Sequence, residues 1–185
     1  MTDSEGNIPT WDEIKQGVTD ITNKVIDTMV EKVDEIRDKV SENDYVYTTG
    51  LNLNVQLGFI SLSGKIGVAI DKKGNVVIYD GIDSGLEDLS SGISLTNYHS
   101  IYAAPEASEI IGKGAQAGFS TNISETPFII GGEANVSQNK HDHQNPYYGG
   151  TIYVGIGTPG ASTYLTCGIT RERCSFNIFE LFKND

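Results

Sequence analysis

The sequence predicts a mainly β protein: a single Gly-rich antiparallel β-barrel or sandwich of about eight to nine strands, preceded by one long amphipathic α-helix. Three observations predict it. From Gly50 to Asp80, Leu51, Leu53, Val55, Leu57 and Phe59 alternate with Asn52, Asn54, Gln56 and Gly58. That period of two gives one apolar face and one small polar face. The chain holds 21 glycines, nearly all beyond residue 50 and inside such alternating segments, where they mark bulges or close backbone approach. Before them, Trp11, Ile14, Val18, Ile21, Val25, Met29, Val33, Ile36 and Val40 step by threes and fours, the stripe of a helix.

Taken in order, residues 1–9 read as a flexible lead. Thr10-Trp11-Asp12-Glu13 then matches a capping box, in which the Thr10 hydroxyl accepts from the Glu13 amide and Glu13 reaches back. The helix so started spans 10–43, and 44–185 forms the Gly-rich antiparallel β domain. An excess of acids on the helix's polar faces disfavours a membrane-surface helix. It favours packing on the β domain or self-association through a partner helix.

Tyr45 to Ile70 reads as one long strand or two shorter ones, with a bulge or turn at Phe59-Ile60, where two bulky residues adjoin. Asp71-Lys72-Lys73-Gly74-Asn75 closes a hairpin, Gly74 supplying the left-handed conformation, and Val76–Tyr79 returns from it. Gly81–Ser91 reads as a polar connection. Strands are expected in 92–102, 115–123, 128–136, 151–157, 164–169 and 175–182, with a single helical turn at 105–111. Ser137–Tyr148 is the longest polar interruption and the natural seat of a functional loop.

With 185 residues the chain is long enough for one sizeable core. Its net charge of −12 and isoelectric point near 4.5 leave no basic cluster for phosphates, since even Arg171-Glu172-Arg173 is interrupted by an acid. Nucleic acid is therefore excluded as a partner, and an anionic membrane surface is disfavoured. The N-terminus lacks the basic and apolar regions of a conventional signal peptide, so synthesis in the cytoplasm, with any delivery by another route, is expected. Cys167 and Cys174 flank what reads as a hairpin tip. Reduced thiols are expected, and a disulfide requires that the two face each other.

Three pieces taken together resemble one family: IGVAIDKKGNVVIY, then SGISLTNYHSIYAAPE with GKGAQAGFSTNI, then YYGGTIYVGIGTPGAS. They are similar to the Gly-rich β domain at the C-terminal end of bacterial RHS-repeat and related polymorphic-toxin proteins. The resemblance covers about residues 50–170. It implies an association with toxins used between bacteria, with an immunity protein or a parent toxin as partner. It carries no catalytic residue. This chain is less Gly-rich and lacks the attached repeat region.

Among chemistry-bearing residues, Lys140-His141-Asp142-His143 holds two of the three histidines. In a strand His141 and His143 share a face and form a two-point ligand set for a divalent metal. A site there needs His99 or an acid such as Glu133 as a third ligand. No other cofactor is expected. No nucleophile elbow, phosphate loop or dinucleotide fingerprint is present, which weighs toward a non-enzymatic protein.

Tyr45 to Gly64 and Pro146 to Thr170 contain no charged residue, and each alternates apolar with small polar side chains. Membrane β-hairpins have that pattern, and so does a water-soluble barrel whose second face is covered. Three function classes follow. The first is a non-catalytic toxin module acting by membrane insertion or pore formation. The second is a metal-dependent hydrolase or nuclease effector using His99, His141, Asp142 and His143. The third is a barrel for a small apolar ligand.

Overall fold

The computed structural model describes residues 44–87, 91–123, 126–142, 144–158 and 160–181. The helix expected over 10–43 lies outside the described residues. The rest forms eight antiparallel strands: β1 (Val46–Leu57), β2 (Ile60–Asp71), β3 (Asn75–Glu87), β4 (Gly92–Tyr102), β5 (Lys113–Asn122), β6 (Phe128–Ser137), β7 (Tyr147–Gly157) and β8 (Ser162–Asn177). A short helix, α1 (Ile178–Leu181), follows. The strands close into a barrel in the order β1-β2-β3-β8-β5-β6-β7-β4. The barrel alternative is therefore the correct one, and the sandwich is not.

Local chemistry sets the two hairpins of the opening segment. At Gly58, φ is +65°, and the Gly58-Phe59 turn joins β1 to β2 where the parity of the apolar residues changes. Gly74, at φ +79°, takes the left-handed conformation that its turn needs. Asp71 fastens that turn: its Oδ1 accepts from the Lys73 and Asn75 amides at 2.9 and 3.0 Å. Its Oδ2 accepts from Asn75 Nδ2 at 2.9 Å and from the Ala107 amide at 3.1 Å, tying the turn to the β4–β5 connection.

Three expectations are corrected. Residues 81–87 are strand, not connection, and complete β3. Residues 105–111 hold turns, not a helical turn. Residues 162–177 are one continuous strand, so Arg171-Glu172-Arg173 is not a hairpin tip. The free, exposed Cys167 and Cys174 therefore sit about 23 Å apart along one strand, far beyond disulfide reach.

The pairing fixes the barrel's geometry. Perpendicular steps run Gln56–Ser61–Gly85–Thr166–Gln116–Asn135–Gly149–Tyr102–Val46, returning to β1 ten residues from the start. A stagger of ten residues around eight strands tilts them by about 40° from the axis, so each residue climbs about 2.5 Å along it. Three connections join strands that are not neighbours: β3 to β4 and β7 to β8 cross one end, and β4 to β5 crosses the other.

The β4–β5 connection supplies four of the eleven residues of the buried apolar cluster. Its Ala104, Ala107, Ile110 and Ile111 are buried with Val46, Ala69, Val77, Tyr79 and Tyr98. Ile110 and Ile111 line the internal cavity, so this connection floors the barrel at the end that we call the base. The other end, where β1 turns into β2, is the tip.

Candidate functional site: an outward apolar belt and a polar lumen

The two faces of the barrel reverse the usual arrangement of a soluble protein. Leu51, Leu53, Val55 and Leu57 on β1 point outward, as do Ile60, Leu62 and Ile66 on β2. Ile82 and Leu86 on β3, Ile93 and Leu95 on β4, Phe128 on β6, Ile152, Val154 and Ile156 on β7, and Leu165 on β8 are likewise exposed. Phe119 takes the corresponding position on β5. Every strand therefore contributes to the belt. On β2 it runs from Ile60 to Ile70, about 25 Å along the barrel axis.

Outward charges gather at the base. Arg173 pairs with Asp80 across β8 and β3, and Arg171 and Lys113 lie at a similar height. The nearby turn carries a Lys73–Glu106 ion pair at 2.9 Å. The Glu106 carboxylate, by hydrogen bond and by charge, holds the Lys73 ammonium above its ordinary range. Tyr47 and Tyr148 stand near this border. Two outward polar contacts run sideways along the barrel wall. Asn97 Nδ2 donates to the Gly50 carbonyl at 3.0 Å, and Tyr47 Oη lies 2.6 Å from His99 Nδ1.

The inward face is polar. A cavity of about 110 Å³ is lined by Asn52, Ser63, Lys65, Glu87, Glu133 and Thr166, with tyrosines between them. Lys65 Nζ lies 2.9 Å from Asp83 Oδ2 and donates to Gln116 Oε1 at 3.4 Å. Tyr164 Oη donates to Glu133 Oε2 at 2.6 Å. Nearer the tip, Glu87 accepts from Ser162 Oγ at 2.6 Å and from Asn54 Nδ2 at 3.3 Å. Glycines make room for the tyrosine rings. A Cβ at Gly50 would fall 2.6 Å from the Tyr98 hydroxyl, and one at Gly118 would fall 2.6 Å from that of Tyr164.

The residues singled out from the sequence are dispersed. His99 faces outward from β4. His141, 81% exposed, sits on the β6–β7 loop at the base with Nε2 3.1 Å from Glu109 Oε1. Asp142 caps its own loop, accepting from the Gln144 amide at 3.0 Å and Asn145 Nδ2 at 2.6 Å. His143 lies outside the described residues. Glu133, the acid considered as a third ligand, points into the lumen, away from the loop. Among the described residues no three His, Cys, Asp or Glu side chains come together as a metal set.

Sequence reading passed over Lys65, Asp83 and Glu87. Their signal was phase. Each stands beside an outward apolar residue (Ile66, Ile82 and Leu86) at a position of the opposite face.

Comparison with protein-family models, curated proteins and solved structures finds no match. The resemblance to RHS-associated toxin domains gains no support from them.

Proposed function

We propose that this protein is a non-catalytic β module that seats itself in a lipid bilayer, its outward belt facing acyl chains. The observation that carries the reading is the apolar belt on all eight strands around a polar lumen. Three quantities support it. The strands run from 10 to 16 residues, and about 9–11 tilted residues suffice to cross a bilayer. The belt height of about 25 Å suits the hydrocarbon layer that membrane barrels occupy. Ring closure leaves no strand edge unpaired, as a hydrocarbon setting requires.

No single helix accounts for the belt. A helix about 10–12 Å across shades two or three strands spaced about 4.8 Å apart. Among the described residues no helix is long and apolar enough to cross a membrane.

A pore through this one barrel is a separate matter. Eight strands enclose a space that side chains fill, and the β4–β5 connection floors it. The reading is therefore insertion without a conduit. The proposal of a toxin module used between bacteria rests on the resemblance alone.

Flotation of the full chain with liposomes tests the reading. The expected result is co-flotation, resistant to high salt, without release of an entrapped dye. A monodisperse monomer that stays out of the liposome fraction in detergent-free buffer would overturn it. So would a stable detergent-free oligomer, which would assign the belt to further copies of the chain.

A further inference from the structure

We infer that the lumen binds a small monovalent cation of ammonium or methylammonium size, seated against Glu133. The charge balance of the cavity points there first. Its lining includes one cationic side chain, Lys65, already engaged with Asp83 at 2.9 Å. Glu133 and Glu87 line the same cavity and, among the described residues, form no ion pair; hydroxyl and amide groups hold them instead. A carboxylate kept from water is costly unless an opposite charge or a proton meets it.

A second, independent observation comes from uncharged oxygens. The Thr48 and Thr166 hydroxyls and the Asn52 Oδ1 atom are buried with no hydrogen-bond partner in the protein, and all three residues line this cavity. Thr48 is 1% exposed and Thr166 4%. An amide oxygen can only accept, and a hydroxyl can accept as well as donate, so each of these oxygens can meet a donor or a cation. Thr48 and Asn52 stand about 13 Å apart along β1, so one small ion reaches at most one of the two. Tyr98, Tyr153 and Tyr164 line the same cavity.

Size narrows the class. A cavity of about 150 Å³ holds benzene, six heavy atoms; at about 110 Å³ this one has room for an ion of about four heavy atoms or fewer, which admits ammonium and methylammonium and excludes tetraethylammonium.

The inference does not rest on membrane seating, because the lumen is the same whether lipid or water surrounds the belt. Thermal unfolding of the full chain tests it, in methylammonium chloride against tetraethylammonium chloride at equal ionic strength. Methylammonium should raise Tm by about 5 °C at roughly ten times its dissociation constant and further with the logarithm of concentration, while tetraethylammonium should not. Glu133→Gln should abolish the difference. The isosteric Thr166→Val should weaken methylammonium binding about fivefold to tenfold. Equal Tm in the two salts overturns the inference, as does a methylammonium response that survives in Glu133→Gln. Should Glu133→Gln fail to fold, unchanged methylammonium affinity in Thr166→Val overturns it.

Discussion

The outward and inward faces of this barrel come from the same strands and alternate residue by residue, yet they answer to opposite rules. Outside, Leu53, Leu95 and Val154 are about half exposed, with only their outward neighbours on the adjoining strands beside them, as Leu53 has Leu95. Inside, Lys65, Asp83 and Glu133 are enclosed and held by one another or by tyrosine and glutamine. Burial of apolar surface, the usual driving force of folding, acts at the base, where the β4–β5 connection packs on Val46, Ala69 and Val77. Around the middle of the barrel, ladder hydrogen bonds and lumen polar contacts supply the cohesion. A belt left exposed by folding remains available for a second burial, against lipid.

The largest expected effect breaks the inward face. Lys65→Met leaves the Asp83 carboxylate enclosed without its ammonium, 2.9 Å away in the native barrel. Removing one member of such a pair costs about 3–5 kcal/mol. Urea unfolding of the variant should show a midpoint lowered accordingly. Lys65→Met combined with Asp83→Asn should recover much of the loss. A single variant as stable as the parent would show that water reaches Asp83 freely.

The outward face is broken by charge. Val154 lies about midway up the belt, whereas Thr49 is near its charged border. Val154→Arg should cost about 2–4 kcal/mol in bilayers and Thr49→Arg about 0–1. In detergent-free buffer the two should be nearly alike. That contrast, read from unfolding in liposomes, separates a lipid-facing belt from one that merely tolerates water.

The same inversion explains what the sequence disclosed and what it hid. Period-two alternation made β1, β2, β6 and β7 legible, and Gly74 marked its turn. Alternation says that two faces differ; it does not say which one points inward. Residues 81–87 read as a loop because Asp83, Gly85 and Glu87 are polar, and they are polar because they face the lumen. Residues 171–173 read as a hairpin tip because three charges adjoin, and they are the charged border of the outward belt on a strand that continues to Asn177. The pairings of β1 with β4 and of β5 with β8 join segments distant in sequence and leave no local trace. Lys65, Asp83 and Glu87 were hidden for a related reason: each looks like an ordinary surface charge until the ring is closed.

A smaller effect tests the fit between the glycines and tyrosines of the lumen. Gly118→Ala puts a methyl 2.6 Å from the Tyr164 hydroxyl, itself the donor to Glu133. Overpacking of this kind costs about 1–3 kcal/mol. A Tyr164→Phe background removes the clashing oxygen and should lessen the cost of the alanine. Additive costs in that double variant would mean that Gly118 is needed for its approach to the Gly132 carbonyl, not for the tyrosine.

The smallest effect lies at the base, outside the belt. Lys73 and Glu106 meet at 2.9 Å with both side chains about half exposed, so water screens the pair. Glu106 raises the Lys73 ammonium above its unfolded value. The pair's contribution is therefore fully present below the unfolded lysine pKa of about 10.4 and fades as pH climbs through the higher folded value. Glu106→Gln should leave Tm unchanged within error at neutral pH and should flatten a shallow decline above about pH 10. The Asp71 contacts beside it work by geometry, with the Ala107 amide held at 3.1 Å, and should keep the base closed in that variant. A large loss of stability at neutral pH from Glu106→Gln would mean that this exposed pair, and not Asp71, anchors the β4–β5 connection across the barrel's end.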